Sequence, residues 1–459
     1  MSISPAISPE VLDPADDPRA VRGRERAAFT LGDIASNLTW TTISSYLLFF
    51  YTDVASIAAA TAGTLMLVAR LLDAFFDPAV GMILDRTTTR WGRARPYLLF
   101  GAPLLSVLTV LTFVTPAGGK LGAVSWAYVT FILVGLAYSL VNVPYGVLMS
   151  MATRDSGTRM KLAGFRAFGI GLGLIVVSTA TQPLIAFFGG STTSRTGFFW
   201  TITIYAVTGM ALFWVVFASV KERVPLTPVS SGTTKGALRT MFRNGPWLTV
   251  VVFSILSFAR LGIITGGAVY FALHTLHNPG AISIILLAFS LSAVLGSVVT
   301  APILRRLGHR NGILLGLVAS IVLTIPLYYL QDDLAAFTIV FFLANIVGGF
   351  GFVAVPALVA DTVEWQEWRS GQRNEGLLFS GYSMSTKIGA ALGSALLAWG
   401  LAAVGYRPDD VTAEVSDGIM LLFLVLPAII AALQAVCIGL YRLEAQLPQI
   451  KAEIAQRRG

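Results

Sequence analysis

Apolar runs of about 20 residues recur along this 459-residue chain, from Thr30 almost to the C-terminus. Each is long enough to cross a hydrocarbon core about 30 Å thick. Backbone N–H and C=O groups find no water there, so a spanning segment must be a helix or part of a closed barrel. Barrel strands alternate over about 10 residues, whereas these runs are longer and continuous. Only 12% of the residues are charged, against about 25% in soluble domains. The chain is expected to be an all-α membrane protein with twelve transmembrane helices.

The chain divides at residues 220–246, "VKERVPLTPVSSGTTKGALRTMFRNGP", which are polar and rich in Pro, Gly, Ser and Thr. This parses as an N-terminal tail (1–28), a first six-helix bundle (29–219), a middle loop (220–246), a second six-helix bundle (247–441) and a C-terminal tail (442–459). Weak internal similarity links the halves. "RAFGIGLG" before the middle is echoed by "KIGAALGS" after it, and Val143-Pro144 by Val355-Pro356. Gly169/Gly173 and Gly389/Gly393 are pairs that let helices approach closely. Two halves with a site between them is a transporter plan.

Most of the 32 Lys and Arg fall on one side of this arrangement. Arg19, Arg22, Arg24 and Arg26 lie in the first tail, and Arg86, Arg90, Arg93 and Arg95 in the first loop on that side. Loops on the opposite side hold Lys120, Arg195 and Arg407. The positive-inside rule predicts a multi-pass protein of the cell (inner) membrane with both termini cytoplasmic. Topology and lipid headgroups account for the net charge of +8 without any nucleic acid. The first 28 residues contain no short apolar region, so no cleaved signal peptide is expected.

An enzyme is not expected. An intramembrane catalyst would need a nucleophile with a base, or a metal set. Cys437 is the single cysteine, and His274, His277 and His309 fall near span ends; His274 and His277 could hold a metal but read as a wet loop end. "GFGFVAVPA" lacks the strand context of a dinucleotide loop.

One apolar run carries "RLLDAFFDP", with Arg70, Asp73 and Asp77. Each ionisable group near a bilayer centre costs about 2.5–3.5 kcal/mol, while a Leu or Phe returns only about 0.3–0.6 kcal/mol. These side chains must therefore face protein or water. Asp73 and Asp77 are four apart and share a helix face, with Arg70 one turn before. Paired carboxylates can bind a monovalent cation, or one can hold a proton. An internal ion pair that only fixes packing is the bland alternative.

The longer string "LLDAFFDPAVGMILDRTTTRWGRARPYLL" resembles the loop between the second and third helices of the major facilitator superfamily. It is closer still to the glycoside–pentoside–hexuronide:cation symporters, the melibiose permease-like family. "GDIASNLTWTTISSYLLFFYTDV", "VNVPYGVLMSMATRDSGTRMKLAGFR" and "VADTVEWQEWRSGQRNEGLLFSGYSMSTKIGAALG" resemble further segments of that family. The similarity runs from about residue 28 to 406.

The resemblance implies roles by position. Asp73 and Asp77 fall on cation-site aspartates, and Ser139 on a family Thr that ligates the cation. Phe76 replaces an Asn that helps coordinate sodium. A phenyl ring offers no oxygen, so proton coupling is favoured over sodium. Arg166, Lys387, Tyr382 and Ser383 fall at the sugar site. Asn37 and Asn142 stand where aspartates hold sugar hydroxyls, Gly146 replaces a stacking Trp, and Phe352 replaces another aromatic. Tyr145 is a candidate wall residue. Arg159, Asp361, Glu364 and Arg373 fall on residues that form a cytoplasmic gate of salt bridges.

The implied protein is a major facilitator symporter that imports a sugar or glycoside with H+ or Na+. It would be a monomer among membrane lipids, with no bound cofactor. The alternative is a transporter of the same fold for a non-sugar solute, such as an amphiphile or organic anion.

Overall fold

The computed structural model describes residues 21–116, 119–153, 155–224, 239–371 and 374–458. Arg373, most of the first tail and residues 225–238 of the middle loop lie outside them. The described residues are helical apart from short connections and one isolated bridge between Thr89 and Gly92. The first helices are α1 (Gly23–Phe49), α2 (Ala59–Arg86), α3 (Arg95–Thr112), α4 (Gly119–Ala152), α5 (Ser156–Gly189) and α6 (Arg195–Ser219). After the middle loop come α7 (Gly245–Tyr270), α8 (Gly280–Leu307), α9 (His309–Leu327), α10 (Leu334–Gly348) and α11 (Phe350–Ser370). The last are α12 (Glu375–Ala403), α13 (Ala413–Gly439) and α14 (Leu443–Arg458).

Ten described helical segments are long and apolar enough to cross a membrane. The long helices outside that set, α1 and α2, carry intramembrane polar groups, α2 with Arg70, Asp73 and Asp77 among them. Helices before residue 220 pack mainly on one another: α1 on α5 and α6, α3 on α4 and α6, and α2 on α4. Those after residue 244 do the same: α7 on α12 and α13, and α9 on α10 and α13. The two sets meet where α2 lies against α12, α5 against α8, and α1 against α7.

The glycine pairs act as expected. A Cβ at Gly169 would strike the Thr30 carbonyl of α1, and one at Gly173 would lie 2.6 Å from Asn37 Cβ. In the second half, a Cβ at Gly389 would lie 2.5 Å from the Ile255 carbonyl of α7, and one at Gly393 would strike that of Ala259. The obstacles are largely backbone, which cannot swing aside. Gly393→Val is therefore expected to destabilise by about 3 kcal/mol, at the upper end for overpacking, read as a lower unfolding temperature in detergent. An unchanged temperature would mean that α7 and α12 can separate freely.

The halves also repeat in detail. α1 ends in a π-helical turn, Phe50–Val54, and α7 in another, Phe271–Thr275. Each is followed by a non-glycine residue at positive φ, Ser56 at 55° and His277 at 48°. Before α3, Gly92 takes φ 107°, and before α9, Gly308 takes φ 78°, values that favour glycine. Both turns seat a carboxylate on the N-terminal amides of the helix that follows, where an anion is stabilised. Glu222 accepts from the amides of Arg93, Ala94 and Arg95 at 2.8, 2.9 and 3.0 Å. Glu444 accepts from those of His309 and Arg310 at 2.7 and 2.9 Å. Arg95 and Arg310 then donate to the Phe217 and Gly439 carbonyls, each at 2.7 Å.

Two segments differ from the sequence reading. The run at 334–360 is broken: α10 stops at Gly348 and α11 starts at Phe350. "VGGFGF" supplies three glycines, each costing a helix about 1 kcal/mol relative to Ala. Residues 442–459, read as a tail, contain helix α14, which packs along α11. Trp368 Nε1 donates to Glu453 at 2.6 Å, and Arg457 donates to the Trp368 carbonyl at 2.7 Å.

Candidate functional site

α2, α4 and α12 converge near their middles on a compact ionic cluster. The Asp73/Asp77 face of α2 meets Ser139 of α4 and Lys387 of α12. Ser139 Oγ lies 2.6 Å from Asp77 Oδ1 and 3.2 Å from Asp73 Oδ1. Lys387 Nζ lies 2.8 Å from Asp77 Oδ2 and 3.2 Å from Asp73 Oδ2. It also donates to the Asp73 backbone carbonyl at 3.3 Å. A Cβ at Gly135 would sit 3.3 Å from Asp73 Oδ1, so that glycine makes room for the carboxylate. Asp73 is buried, while the Asp77 side chain is 29% exposed. The cluster is open to water on the Asp77 side.

Arg70 is buried but forms no ion pair with either aspartate among the described residues. Its guanidinium lies 3.7 Å above the Trp40 ring, and Trp40 stacks on Tyr138 at 4.7 Å. Attraction to the ring quadrupole holds it there. Asp73, Asp77, Lys387 and Arg70 together carry two charges of each sign, so a further cation must change that balance.

A second cluster lies between α1, α4 and α5. Arg166 Nε donates to Asp33 Oδ2 at 2.9 Å, and Nη2 to Oδ1 at 3.1 Å. Tyr145 is fully buried, and its hydroxyl lies 2.5 Å from the Phe29 carbonyl and 2.7 Å from Asp33 Oδ2. Tyr145, expected as a wall residue, braces Asp33. The Arg166 guanidinium also lies over its ring, 4.8 Å from the centroid. Asn37 donates to the Asp33 carbonyl at 2.8 Å, and Asn142 accepts from Ser36 at 3.4 Å. Three of the expected sugar-site residues, Arg166, Tyr145 and Asn37, thus contact Asp33, which sequence reasoning missed, and Asn142 contacts Ser36 on the same helix.

The remaining expected residues lie elsewhere. Lys387, expected at the sugar site, is seated on Asp73 and Asp77. Phe352 packs edge-on against Phe258 at 5.2 Å, Tyr382 is half-buried and Ser383 is exposed. None of these three has a hydrogen bond to the Asp33 cluster among the described residues. At the basic end, Arg159 donates to the Thr153 carbonyl at 2.9 Å, and Glu364 pairs with Lys451 of α14 at 3.3 Å. Asp361 is half-buried. Neither Asp361 nor Glu364 pairs with Arg159 among the described residues.

At the opposite end the two halves are joined. Asp53, in the π-turn after α1, accepts from the Tyr406 hydroxyl at 2.6 Å. That hydroxyl also lies 2.9 Å from His274 Nε2, in the π-turn after α7. Thr52 Oγ1 contacts Asp53 Oδ2 at 2.5 Å and the Tyr270 hydroxyl at 2.7 Å. His274 is not a wet loop end, since its side chain is 17% exposed. Farther along the seam, Ser178 and Ser290 share a hydrogen bond at 2.7 Å. An available signal for Asp33 and Asp53 was the one used for Asp73: a carboxylate close to or within an apolar run.

The sequence model of the family described as MFS/sugar transport protein matches residues 28–445. The isoprimeverose transporter of Lactiplantibacillus pentosus is 36% identical over 470 residues, covering 100% of this chain and 98% of that one. A glucuronide carrier protein homolog of Escherichia coli (strain K12) is 31% identical over 447 residues, covering 95% of this chain and 96% of that one. Among solved structures, a D-xylose-proton symporter has the same fold, with a TM-score of 0.67 at 15% identity over 92% of this chain and 98% of that one. The Asp73/Asp77 face, the repeated halves and these likenesses converge: the chain belongs to the MFS/sugar transport family, among its glycoside–pentoside–hexuronide symporters.

Proposed function

We propose that this protein imports a sugar or glycoside together with a cation by alternating access, and that the cation is a proton. The observation that carries the proposal is Lys387 seated on Asp73 and Asp77 across the α2–α12 seam. Its ammonium stands where a coupling cation would sit between the two carboxylates. Protonation weakens that hold and frees Lys387 to donate to a solute. The aspartates belong to one half and the lysine to the other, so the exchange alters what ties the halves together. A ligand shifts a conformational equilibrium only through such a difference in contacts. Phe76 supports a proton over sodium, because a hard cation binds oxygen ligands and the phenyl ring supplies none.

Arg166, Asp33, Asn37 and Asn142 are the proposed contacts for hydroxyls or a carboxylate of the solute. The relatives named above support a glycoside or uronide. Twelve spans in two six-helix bundles are proposed, with the basic end and both termini cytoplasmic in the inner membrane. The joined end is then the outer face, and Asp53, His274 and Tyr406 close it. Asp361, Glu364, Arg159 and Arg373 are the proposed inner gate, and among the described residues neither Asp361 nor Glu364 pairs with Arg159. A monomer surrounded by lipid suffices for this cycle.

The test is uptake into vesicles containing the purified protein, with labelled glycosides, pentosides and uronides. A proton gradient and a sodium gradient are imposed in turn. Accumulation with the proton gradient alone is the expected result. Accumulation driven by sodium would overturn the Phe76 argument, and no accumulation of any sugar would overturn the substrate class.

A further inference from the structure

Arg260 of α7 is 6% exposed and stands apart from the ionic cluster just described. Among the described residues it has no hydrogen-bond, ion-pair or ring partner. Arg70, equally buried, at least rests on Trp40. A buried charge without a partner is strongly disfavoured, and its cost is met by pairing and hydrogen bonding.

The surroundings of Arg260 are arranged to hold something small. It borders a cavity of about 30 Å³ whose polar lining comes from Ser320, Thr324 and Asn345. Phe341 and Phe423 form part of the apolar wall. The α10 break lies beside it. A Cβ at Gly348 would sit 2.5 Å from Arg260 Nη2 and 2.6 Å from Ser320 Oγ. The guanidinium and the hydroxyl therefore converge on one spot, which glycine leaves open. The nearby α10 carbonyls of Asn345, Ile346 and Val347 already receive the Gly349 N–H. The Asn345 amide nitrogen is committed to the Phe341 carbonyl at 2.8 Å. The Thr324 hydroxyl likewise donates to the Ser320 carbonyl at 2.8 Å. The Ser320 hydroxyl remains as a neutral donor facing the charge, and it supplies no negative charge.

We propose that this cavity is a binding site for a small monovalent anion of halide size, held by Arg260 with Ser320. A cavity of about 10–15 Å³ holds one water, so the space fits a single halide or two waters. It does not fit a phosphate. An anion cancels the charge, whereas waters only solvate it. The site lies between α7, α9, α10 and α13 of the second half, away from Asp73 and Asp77. An apolar groove along α9 and α13 shares Ile321, Thr324, Leu424 and Ala428 with its wall. An amphiphile carboxylate reaching in from that groove is the rival occupant.

The test uses the full-length protein in detergent, with sodium chloride, bromide or gluconate at equal ionic strength. The unfolding temperature is expected to rise by roughly 3 °C in chloride and bromide over gluconate, and to saturate. Arg260→Gln should abolish the rise. Ser320→Ala should move its midpoint to about tenfold higher halide, as for one lost hydrogen bond to a charge. A bromide-soaked crystal of the unaltered protein should give an anomalous peak beside the guanidinium, so the outcome does not depend on Arg260→Gln folding. The proposal is overturned by a temperature indifferent to halide, by a halide effect unchanged in both variants, by no bromide peak beside Arg260, or by stabilisation from oleate alone.

Discussion

Replacing Asp73 by asparagine is expected to abolish sugar accumulation while leaving sugar exchange at equal concentrations largely intact. Asp73 is the more deeply buried of the two aspartates facing Lys387, and it shares the Ser139 hydroxyl with Asp77. An amide keeps the shape and cannot take up a proton to become neutral, because it is already neutral. Breaking one partner of a buried ion pair costs about 3–5 kcal/mol. The grip of Asp73 and Asp77 on a coupling cation should fall by a factor on the order of a hundred or more. Asp77→Asn should act in the same direction but less strongly, since its side chain is 29% exposed and water can replace part of the loss. The measurement is gradient-driven uptake set beside counterflow exchange in the same vesicles. Full accumulation in both variants would sink the carboxylate-pair mechanism. Loss of exchange together with accumulation would point to a folding defect or to a purely structural ion pair.

Loosening the Asp53–Tyr406–His274 junction is expected to have the second largest effect. Tyr406→Phe removes the hydroxyl that joins Asp53 of one half to α12's end and His274 of the other. A hydrogen bond to a buried charge contributes about 1.5–3 kcal/mol, which corresponds to a shift of roughly ten- to a hundredfold between two states of similar energy. The outer face should open. A cysteine at Ser44 (Ser44→Cys, with Cys437→Ser to remove the native thiol) reports this, because the Ser44 backbone lies opposite Gly266 of α7, below the junction. Its labelling by an impermeant maleimide from outside should speed up by about tenfold. Asp53→Ala should do at least as much. An unchanged labelling rate in both variants would show that the outer face is held by apolar packing alone.

The parts legible in the sequence were those that a local pattern encodes. Ionisable residues inside an apolar run are costly wherever they occur, so Asp73 and Asp77 stood out without reference to any partner. Ser139 emerged from the family resemblance, and the structure places its hydroxyl on both carboxylates. The glycine pairs were readable because small residues at a spacing of four imply close helix contact. What stayed hidden was who meets whom. Lys387 lies 314 residues from Asp73, and no periodicity links them. Asp33 was overlooked because it lies near the start of a span, where a lone carboxylate resembles an ordinary helix-end charge. Its partner Arg166 is 133 residues away. His274 was misread for a related reason: proximity to a span end says nothing about whether the other half covers it. The glycines at the break near Gly349 were visible, but that Arg260 and Ser320 lie beside Gly348 and Phe253 beside Gly351 is a tertiary fact.

The twin carboxylate caps bear on the continuity of the chain itself. Glu222 closes the turn at Gly92, and Glu444 closes the turn at Gly308. Each bond stays within its own half, and neither crosses the α2–α12 or α5–α8 seam. A rocking motion between the halves leaves both caps intact. A chain severed anywhere in 225–238 would still leave each fragment with its own cap. The covalent link between the halves is then a tether that keeps two self-fastened pieces at high local concentration.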